Sequence, residues 1–212
     1  MEELDKMIDS LGEKMWAKSE HFFAPSLVKE LYDEAHQLYE SGALQSADIG
    51  KEQEKQSDHT IRKTQIFWFQ PEQLSAVQQR FYDKLHEIRN ELNRTCYLSL
   101  VDMEFHYALY PSGSFYVRHL DQFRSDNRRL ISVLLYLNED WKEEDGGTLR
   151  LYLEQPEQGH IDIMPEAGNF VMFRSSELEH EVLPTQRTRY AVVGWMKTHA
   201  TGFQLSSQFR DR

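Results

Sequence analysis

The feature that most constrains the fold of this chain is a change of hydrophobic period near Cys96. Beyond that residue the sequence is a series of short segments rich in β-branched and aromatic residues, among them "RLISVLLYLN", "NFVMFR" and "RYAVVGWMK". Turn signals such as "EDGGT" and "EAGN" separate these segments, which is typical of strands joined by tight turns. Many short strands at this spacing predict a sandwich or a barrel.

The preceding part of the chain has the period of helices. The segment "PSLVKELYDEAHQLYESG" begins with Pro25 and Ser26, spaces its apolar residues as a helix does, and stops at Gly42. "PEQLSAVQQRFYDKLHEIRNELNR", from Pro71, repeats the pattern. Helices grouped in sequence usually cover one face of a sheet. The predicted fold is therefore mainly β with N-terminal helices and a jelly-roll core, the double-stranded β-helix.

The two helical segments are separated by residues 43–63, which are polar and lack a period. We expect a loop there, followed by a strand at "TQIFWF". We expect one structural domain, in which residues 1–93 support a core formed by residues 94–212.

Charge and composition restrict the partners of this chain. Its 24 Lys and Arg residues against 35 Asp and Glu give a net charge of −11, which disfavours nucleic acid and anionic membranes as partners. Cys96 is the single cysteine, so an internal disulfide is excluded. The acidic start "MEELDKMIDSLGEKMW" is unlike a signal peptide, and no apolar run reaches the length of a membrane span. We expect a soluble, cytoplasmic monomer.

The stretch "FYVRHLDQF" contains a histidine and an aspartate two residues apart, His119 and Asp121. Alternate side chains of a strand point the same way, so the two could share a metal ion if a third ligand came from elsewhere. The pair alone is weak evidence, because a second one, His160 and Asp162, occurs in "GHIDIM". His119 could equally end a strand, with Asp121 beginning a polar turn.

Two residues further along the chain strengthen the first pair. His180 follows a polar turn, and Arg189 lies nine residues later in an otherwise apolar strand. An arginine in a buried strand needs an anion. Two histidines and one carboxylate, with other coordination positions open, is the ligand set of non-haem Fe(II) oxygenases.

The motifs "YP", "YVRHLD", "YLNEDW", "GGTLRLY", "HEVLP" and "TRYAVVGW" follow one another between Tyr107 and Lys197. This segment resembles the Fe(II)- and 2-oxoglutarate-dependent dioxygenases, and most of all the prolyl hydroxylases of the oxygen-sensing type and their bacterial relatives. "TIRKTQIFWF" looks like a weaker upstream continuation of the same resemblance.

The resemblance implies a role for each matching residue. The iron ligands would be His119, Asp121 and His180. The 2-oxoglutarate site would use Arg189 for the distal carboxylate, supported by Tyr136, with Tyr110 near the metal and a lining of Leu134, Leu149, Val182 and Trp195. Dioxygen would be the other cosubstrate, with ascorbate as a reductant. Taken singly, the tyrosines and Trp195 could equally be core residues.

The sequence departs from the family pattern at two places. The segment between Tyr110 and His119 looks one residue shorter than in the animal enzymes, which leaves the role of Tyr110 open. Val193 stands where those enzymes carry a threonine. Their slow oxygen kinetics therefore do not transfer to this chain.

The expected activity is hydroxylation of a prolyl residue in a protein, with release of succinate and CO2. For bacterial relatives the resemblance suggests elongation factor Tu as the target. Free proline or another small metabolite, or a non-catalytic sensor of metal or 2-oxoglutarate, are the alternatives. Arg128 and Arg129, in the turn after the metal pair, could contact an acidic substrate segment or could equally belong to a solvated turn. We expect residues 43–63 to form a lid over the site, with Arg62 contacting the target.

Overall fold

The computed structural model describes residues 2–46, 64–122, 126–153 and 159–199. Within these ranges two β-sheets face each other and helices pack on the outer side of the larger sheet. The predicted class, mainly β with N-terminal helices around a jelly-roll core, is confirmed. Most of the predicted lid, together with Arg62, lies outside the described residues.

The helices all precede the long strands of the core. They are α1 (Glu2–Lys14), α2 (Pro25–Glu40) and α3 (Ala76–Cys96). Helix α2 begins at the predicted proline, whereas α3 begins five residues after Pro71. The reason is a capping box, in which Ser75 accepts from the Gln78 N–H and the Gln78 side chain accepts from the Ser75 N–H.

The first four strands belong to one sheet, and after them the chain passes repeatedly between the two sheets. The strands are β1 (Trp16–Ser19), β2 (Gln45–Ser46), β3 (Gln65–Trp68), β4 (Leu100–Tyr110), β5 (Tyr116–His119), β6 (Arg129–Tyr136), β7 (Leu149–Tyr152), β8 (His160–Ile163), β9 (Phe170–Arg174), β10 (His180–Val182) and β11 (Arg189–Thr198). In the described part of the chain, the major sheet has the order β1-β9-β6-β11-β4-β3-β2 and the minor sheet β5-β10-β7-β8.

Three strands were not predicted from the sequence. Strand β2 lies at the start of the predicted loop 43–63, where it pairs with β3. Strand β1 lies in the helical region and pairs with β9 at the edge of the major sheet. Strand β10 joins β5 to β7 at the centre of the minor sheet. All three are too short to show an alternating pattern of their own, and pairing with longer neighbours defines them.

Helices α2 and α3 are fixed to the major sheet by polar contacts as well as by apolar packing. The Tyr107 hydroxyl on β4 donates to Glu34 of α2 at 2.9 Å, and Gln78 of α3 donates to the same carboxylate at 2.5 Å. On β11, the Tyr190 hydroxyl lies 3.1 Å from Nδ1 of His36 in α2. None of the helices described in the structure is both long and apolar enough to cross a membrane.

Close packing of β11 on β4 depends on one glycine. A Cβ on Gly194 would lie 2.2 Å from the carbonyl oxygen of Glu104 and 2.3 Å from the Phe105 ring. The register that results pairs Arg189 with Tyr110 and Val193 with His106. Since alternate residues share a face, the face of β11 directed at the minor sheet presents Arg189, Ala191, Val193 and Trp195 in that order.

Candidate active site

Three side chains that can bind a metal meet between the sheets. His119 ends β5, Asp121 follows in the turn, and His180 begins β10 directly opposite His119. Nε2 of His119 lies 3.5 Å from Oδ1 of Asp121, and Nε2 of His180 lies 3.6 Å from Oδ2. The three ligand atoms lie within 4.8 Å of one another, so they can bind one ion. The strand expected through Asp121 stops before it, and the turn brings the carboxylate to the histidine.

The orientation of both imidazole rings is fixed by main-chain carbonyls. Nδ1 of His119 lies 2.7 Å from the Val117 oxygen, and Nδ1 of His180 lies 3.3 Å from the Leu178 oxygen. A carbonyl only accepts hydrogen bonds, so Nδ1 holds the proton in each ring and the Nε2 lone pair is free for a metal.

The electrostatics of the site favour the metal-binding forms of His180 and Asp121. Burial lowers the pKa of His180 to about 4, against the attraction of the Asp121 carboxylate, so the imidazole is neutral at neutral pH. Burial would raise the pKa of Asp121, but the two histidines and a hydrogen bond from Ser132 outweigh it and hold that pKa below its usual range. Neutral imidazole and ionised carboxylate are the forms that coordinate metals.

A pair of buried hydroxyls supports the carboxylate, and the sequence argument missed it. Ser132 on β6 donates to Oδ2 of Asp121 at 2.7 Å, and its oxygen lies 2.8 Å from the hydroxyl of Ser175. Both serines are buried. A signal existed, because Ser132 is a lone polar residue inside the apolar run "LISVLLYL".

The second His-x-Asp pair lies elsewhere. His160 and Asp162 are on β8, at the edge of the minor sheet, and both are exposed. Asp162 accepts two hydrogen bonds of 2.8 Å from Arg150 and forms a surface ion pair. From the sequence, His119 and Asp121 were preferred over this pair as metal ligands, and the geometry agrees with that choice.

Arg189 is buried with unsatisfied donors. The residue is 1% exposed, and its Nε and Nη2 have no hydrogen-bond partner in the described structure. Its guanidinium carbon lies 4.9 Å from the ring centroid of Tyr110 and 4.8 Å from that of Tyr136. A buried cation without a partner is costly, so the site is completed by an anion with two acceptor oxygens. A carboxylate fits this requirement.

The surroundings of Arg189 suit a short dicarboxylic acid. The Tyr136 hydroxyl is buried and has no hydrogen-bond partner among the described residues. Burial raises its pKa to about 12 against the opposing charge of Arg189, so it stays a hydrogen-bond donor. The predicted lining residues are all buried, with Leu134 and Leu149 in the apolar cluster of Tyr136 and Val182 in that of Tyr110. Their contact with a cosubstrate stays a prediction.

An aromatic wall, formed by Trp68, His106 and Trp195, continues the same face of the major sheet beyond Val193. The ring centroids of Trp68 and His106 are 4.6 Å apart, and those of His106 and Trp195 are 5.6 Å apart. Trp68 is 38% exposed, so the wall reaches the surface. The sequence argument had singled out Trp195 but not its two neighbours, because they come from separate strands.

Arg129 connects the aromatic wall to the metal ligands. Its guanidinium carbon lies 3.5 Å from the centroid of the Trp195 ring, and its Nε donates to Glu104 at 2.9 Å. Nη1 donates to the main-chain carbonyl of Asp121 at 3.4 Å. The same side chain therefore contacts the wall and the turn that contains a ligand.

The predicted substrate-binding arginines already have carboxylate partners where the structure describes them. Arg128 pairs with Asp126 at 2.7 Å, and Arg129 pairs with Glu104 at 2.9 Å. An acidic substrate would have to compete with these pairs. A substrate role for Arg128 and Arg129 stays a prediction, as it does for Arg62.

Comparison with known proteins places this geometry in a family. The family model described as the 2OG-Fe(II) oxygenase superfamily matches residues 105–197. The crystal structure of a Pseudomonas putida prolyl-4-hydroxylase is similar with a TM-score of 0.82 and 38% identity, covering 93% of this chain and 100% of that one. A prolyl hydroxylase from Trichoplax adhaerens, solved with a hypoxia-inducible factor peptide, has a TM-score of 0.82 at 24% identity, covering 92% and 88%. That second likeness concerns the fold alone.

Characterised relatives are similar in sequence over most of this chain. The hypoxia-inducible factor prolyl hydroxylase of Caenorhabditis elegans is 30% identical, covering 90% of this chain, and Egl nine homolog 1 of Mus musculus is 29% identical, covering 82%. The chain spans only 28% and 44% of those proteins. It spans the whole of the Pseudomonas putida structure. The chain therefore belongs to the 2OG-Fe(II) oxygenase superfamily, in the branch that contains the prolyl hydroxylases.

Proposed function

We propose that this protein is an Fe(II)- and 2-oxoglutarate-dependent dioxygenase that hydroxylates a prolyl residue in a protein, acting as a cytoplasmic monomer. The observation that supports this proposal most is that a metal-ligand set and a buried arginine occur in one site. The ligand set of His119, Asp121 and His180 lies against a face that holds a buried arginine with unsatisfied donors. A metal site alone would not need that arginine. A 2-oxo acid with a distal carboxylate would use both the metal and the arginine.

The ligand set would hold iron(II). When bound there, iron supplies the activation of dioxygen that is coupled to decarboxylation of 2-oxoglutarate, with succinate and CO2 as products. The chain contributes two imidazoles, each with Nδ1 held by a main-chain carbonyl, and one carboxylate held by Ser132. With three protein ligands, positions remain for the 2-oxo acid and for dioxygen. Asp121 fills the carboxylate position and leaves no vacancy for a halide, so the outcome is hydroxylation.

Arg189 and Tyr136 would hold the distal carboxylate of 2-oxoglutarate. Two N–H donors and one phenolic O–H converge in a buried, water-poor environment, where charge-assisted hydrogen bonds are strong. Val193 places a methyl group, not a hydroxyl, on the same face between Arg189 and Trp195. This chain therefore offers no side-chain hydroxyl at that position.

The aromatic wall supports a prolyl substrate. A pyrrolidine ring is apolar and can pack on aromatic faces. The ring centroids of His106 and Trp195 lie 5.6 Å apart, and Arg129 links Trp195 to the turn that bears Asp121. The Pseudomonas putida structure, at 38% identity, is that of a prolyl-4-hydroxylase. This likeness supports the reaction class for this chain.

A protein substrate is favoured over free proline by apolar residues exposed around the site. Large hydrophobic side chains are exposed at Val117 and Leu120, on either side of His119, and at Trp68 of the wall. Exposed apolar groups around one site are typical of a macromolecular partner. The Trichoplax adhaerens relative was solved with a peptide of hypoxia-inducible factor. For this chain we propose elongation factor Tu as the protein target, on the strength of its similarity to bacterial relatives.

The test is incubation of the purified protein with Fe(II), 2-oxoglutarate, ascorbate and a bacterial lysate. We expect succinate to accumulate and one prolyl residue of elongation factor Tu to gain an oxygen atom in mass spectra. If only free proline gained oxygen, the substrate would be a metabolite and the proposed protein substrate would be rejected. Oxygen on a different protein would keep the reaction and reject this target. Binding of 2-oxoglutarate without any succinate would make the protein a sensor and overturn the enzymatic proposal.

A further inference from the structure

We propose that Gly147 leaves the space in which the Arg189 side chain lies and so sets the position of its guanidinium. This position would make the cosubstrate site select a 2-oxo acid with a distal carboxylate. The inference rests on the proposed function, since it concerns the same cosubstrate. Gly147 lies in the turn that precedes β7 and is buried. In this turn, two consecutive glycines have positive φ, +64° at Gly146 and +66° at Gly147.

The two glycines are needed for different steric reasons. A Cβ on Gly146 would lie 2.4 Å from the carbonyl oxygen of Pro184, so Gly146 lets the turn pass close to the chain before β11. A Cβ on Gly147 would lie 3.0 Å from Cδ of Arg189 and 3.0 Å from Oγ1 of Thr185. The Arg189 side chain thus occupies the space that a side chain at position 147 would need.

An added methyl group would displace Arg189 and not Thr185. Thr185 is fully buried, and its hydroxyl donates to the Arg187 carbonyl at 2.6 Å. Its N–H donates to Ser114 at 3.0 Å, and its carbonyl accepts from Gly113 at 2.6 Å. Every polar group of Thr185 is therefore held.

Arg189 lacks such restraint at its terminus. Nε and Nη2 have no partner in the described structure, and the rings of Tyr110 and Tyr136 flank the guanidinium. A push on Cδ from the side of Gly147 is transmitted along the side chain to the guanidinium. The donors would move by a few tenths of an ångström or more from their present position.

The cosubstrate cannot follow that movement. One end of 2-oxoglutarate would be fixed by the metal held between β5 and β10, and the other by Arg189 on β11. The carbon chain between the two ends sets their separation. Gly147 is therefore a positioning residue, which acts through Arg189 on a diacid and has no effect on a 2-oxo acid without a distal carboxylate.

The experiment compares Gly147→Ala with Gly159→Ala in the full chain loaded with Mn(II). Gly159 has a similar φ of +73°, and no atom of the described residues lies within 4 Å of an added Cβ, so it reproduces the backbone strain without a contact to Arg189. Calorimetry measures the dissociation constants of Mn(II), of 2-oxoglutarate and of pyruvate, which lacks the distal carboxylate.

We expect Gly147→Ala to weaken 2-oxoglutarate by about tenfold or more. Its affinities for Mn(II) and pyruvate should equal those of Gly159→Ala and of the unaltered protein. Equal loss of 2-oxoglutarate and pyruvate, or no loss of either, would overturn the inference. If the unaltered protein bound Mn(II) but not 2-oxoglutarate, the proposed function itself would fail, and this result is distinct from the others.

A second variant covers the case in which Gly147→Ala does not fold. Gly147→Asn introduces the same Cβ with a residue type that tolerates positive φ. We expect it to show the same selective loss of 2-oxoglutarate. If neither variant folds while Gly159→Ala does, Gly147 is a structural requirement of the barrel and the selectivity role is rejected.

Discussion

The hydroxyl of Ser132 donates a hydrogen bond of 2.7 Å to Oδ2 of Asp121. Ser175 lies 2.8 Å from the same hydroxyl, so a chain of two buried hydroxyls ends on the carboxylate. One carboxylate oxygen is therefore already engaged by the protein. The arrangement favours metal binding through Oδ1, the oxygen nearer to His119.

Replacement of Ser132 by Ala should weaken metal binding without removing a ligand. Groups that orient a ligand typically contribute a factor of about 10 to 100 in metal affinity. Titration of the purified variant with Mn(II) measures the change. Ser176→Ala is the control, because that hydroxyl bonds to Glu177 and not to the site. Equal affinities in the two variants would show that Ser132 does not orient Asp121.

Replacement of His180 by Ala should abolish both metal binding and succinate formation. The unaltered protein should bind one Mn(II) or Fe(II) per chain, because His180, His119 and Asp121 converge on one position. His160→Ala is the matched control, since it removes the exposed histidine of the other His-x-Asp pair. If the His180 variant kept normal turnover of 2-oxoglutarate, the ligand assignment would be wrong.

Even the conservative change Arg189→Lys should raise the dissociation constant of 2-oxoglutarate by at least about tenfold. A lysine keeps the charge but has no planar pair of donors for a carboxylate. Arg187→Lys is the control, because Arg187 is exposed and donates to the carbonyls of Glu139 and Asp140. Metal affinity should stay the same in both variants. An unaltered cosubstrate affinity in Arg189→Lys would reject the assignment.

The metal-free protein should lose stability as the pH falls from about 6.5 to about 4, because the pKa of the buried His180 is lowered from 6.5 to about 4. In that interval the unfolded chain binds a proton on this imidazole and the folded protein does not, so the free energy of unfolding decreases with decreasing pH. The lost stability is at most about 3 kcal/mol, from the size of the shift.

Urea denaturation of the metal-free protein at a series of pH values measures this effect. The variant His180→Gln, which does not titrate, should lose less stability over the same interval. Mn(II) should oppose the loss in the unaltered protein, because a bound metal stabilises the folded state. Identical pH profiles for the two proteins would contradict the predicted contribution of His180.

Long runs with a clear period were predictable from the sequence. Strands β6, β9 and β11 begin within one residue of the segments "RLISVLLYLN", "NFVMFR" and "RYAVVGWMK". Helix α2 begins at Pro25 as predicted. These elements bury a continuous apolar face or stripe, and that pattern is local in sequence. The convergence of His119, Asp121 and His180 was expected from the family resemblance.

Contacts between distant segments were not predictable in the same way. The hydroxyl pair joins Ser132 to Ser175, the aromatic wall takes Trp68 from a strand near the predicted lid, and Gly147 meets Arg189 across the barrel. None of these residues belongs to a periodic pattern that points to its partner. Each contact depends on how distant strands pair, and the sequence pattern of a single strand does not predict that pairing.

Arg129 lies on the Trp195 ring and also holds the carbonyl of Asp121. A substrate that moved the tryptophan would therefore strain the bond to the turn that bears Asp121, and a shift of that turn would alter the support beneath the tryptophan. Substrate binding at the proposed site and the position of Asp121 would thus be linked mechanically through one side chain, whose length and planarity a shorter or non-planar residue would not reproduce.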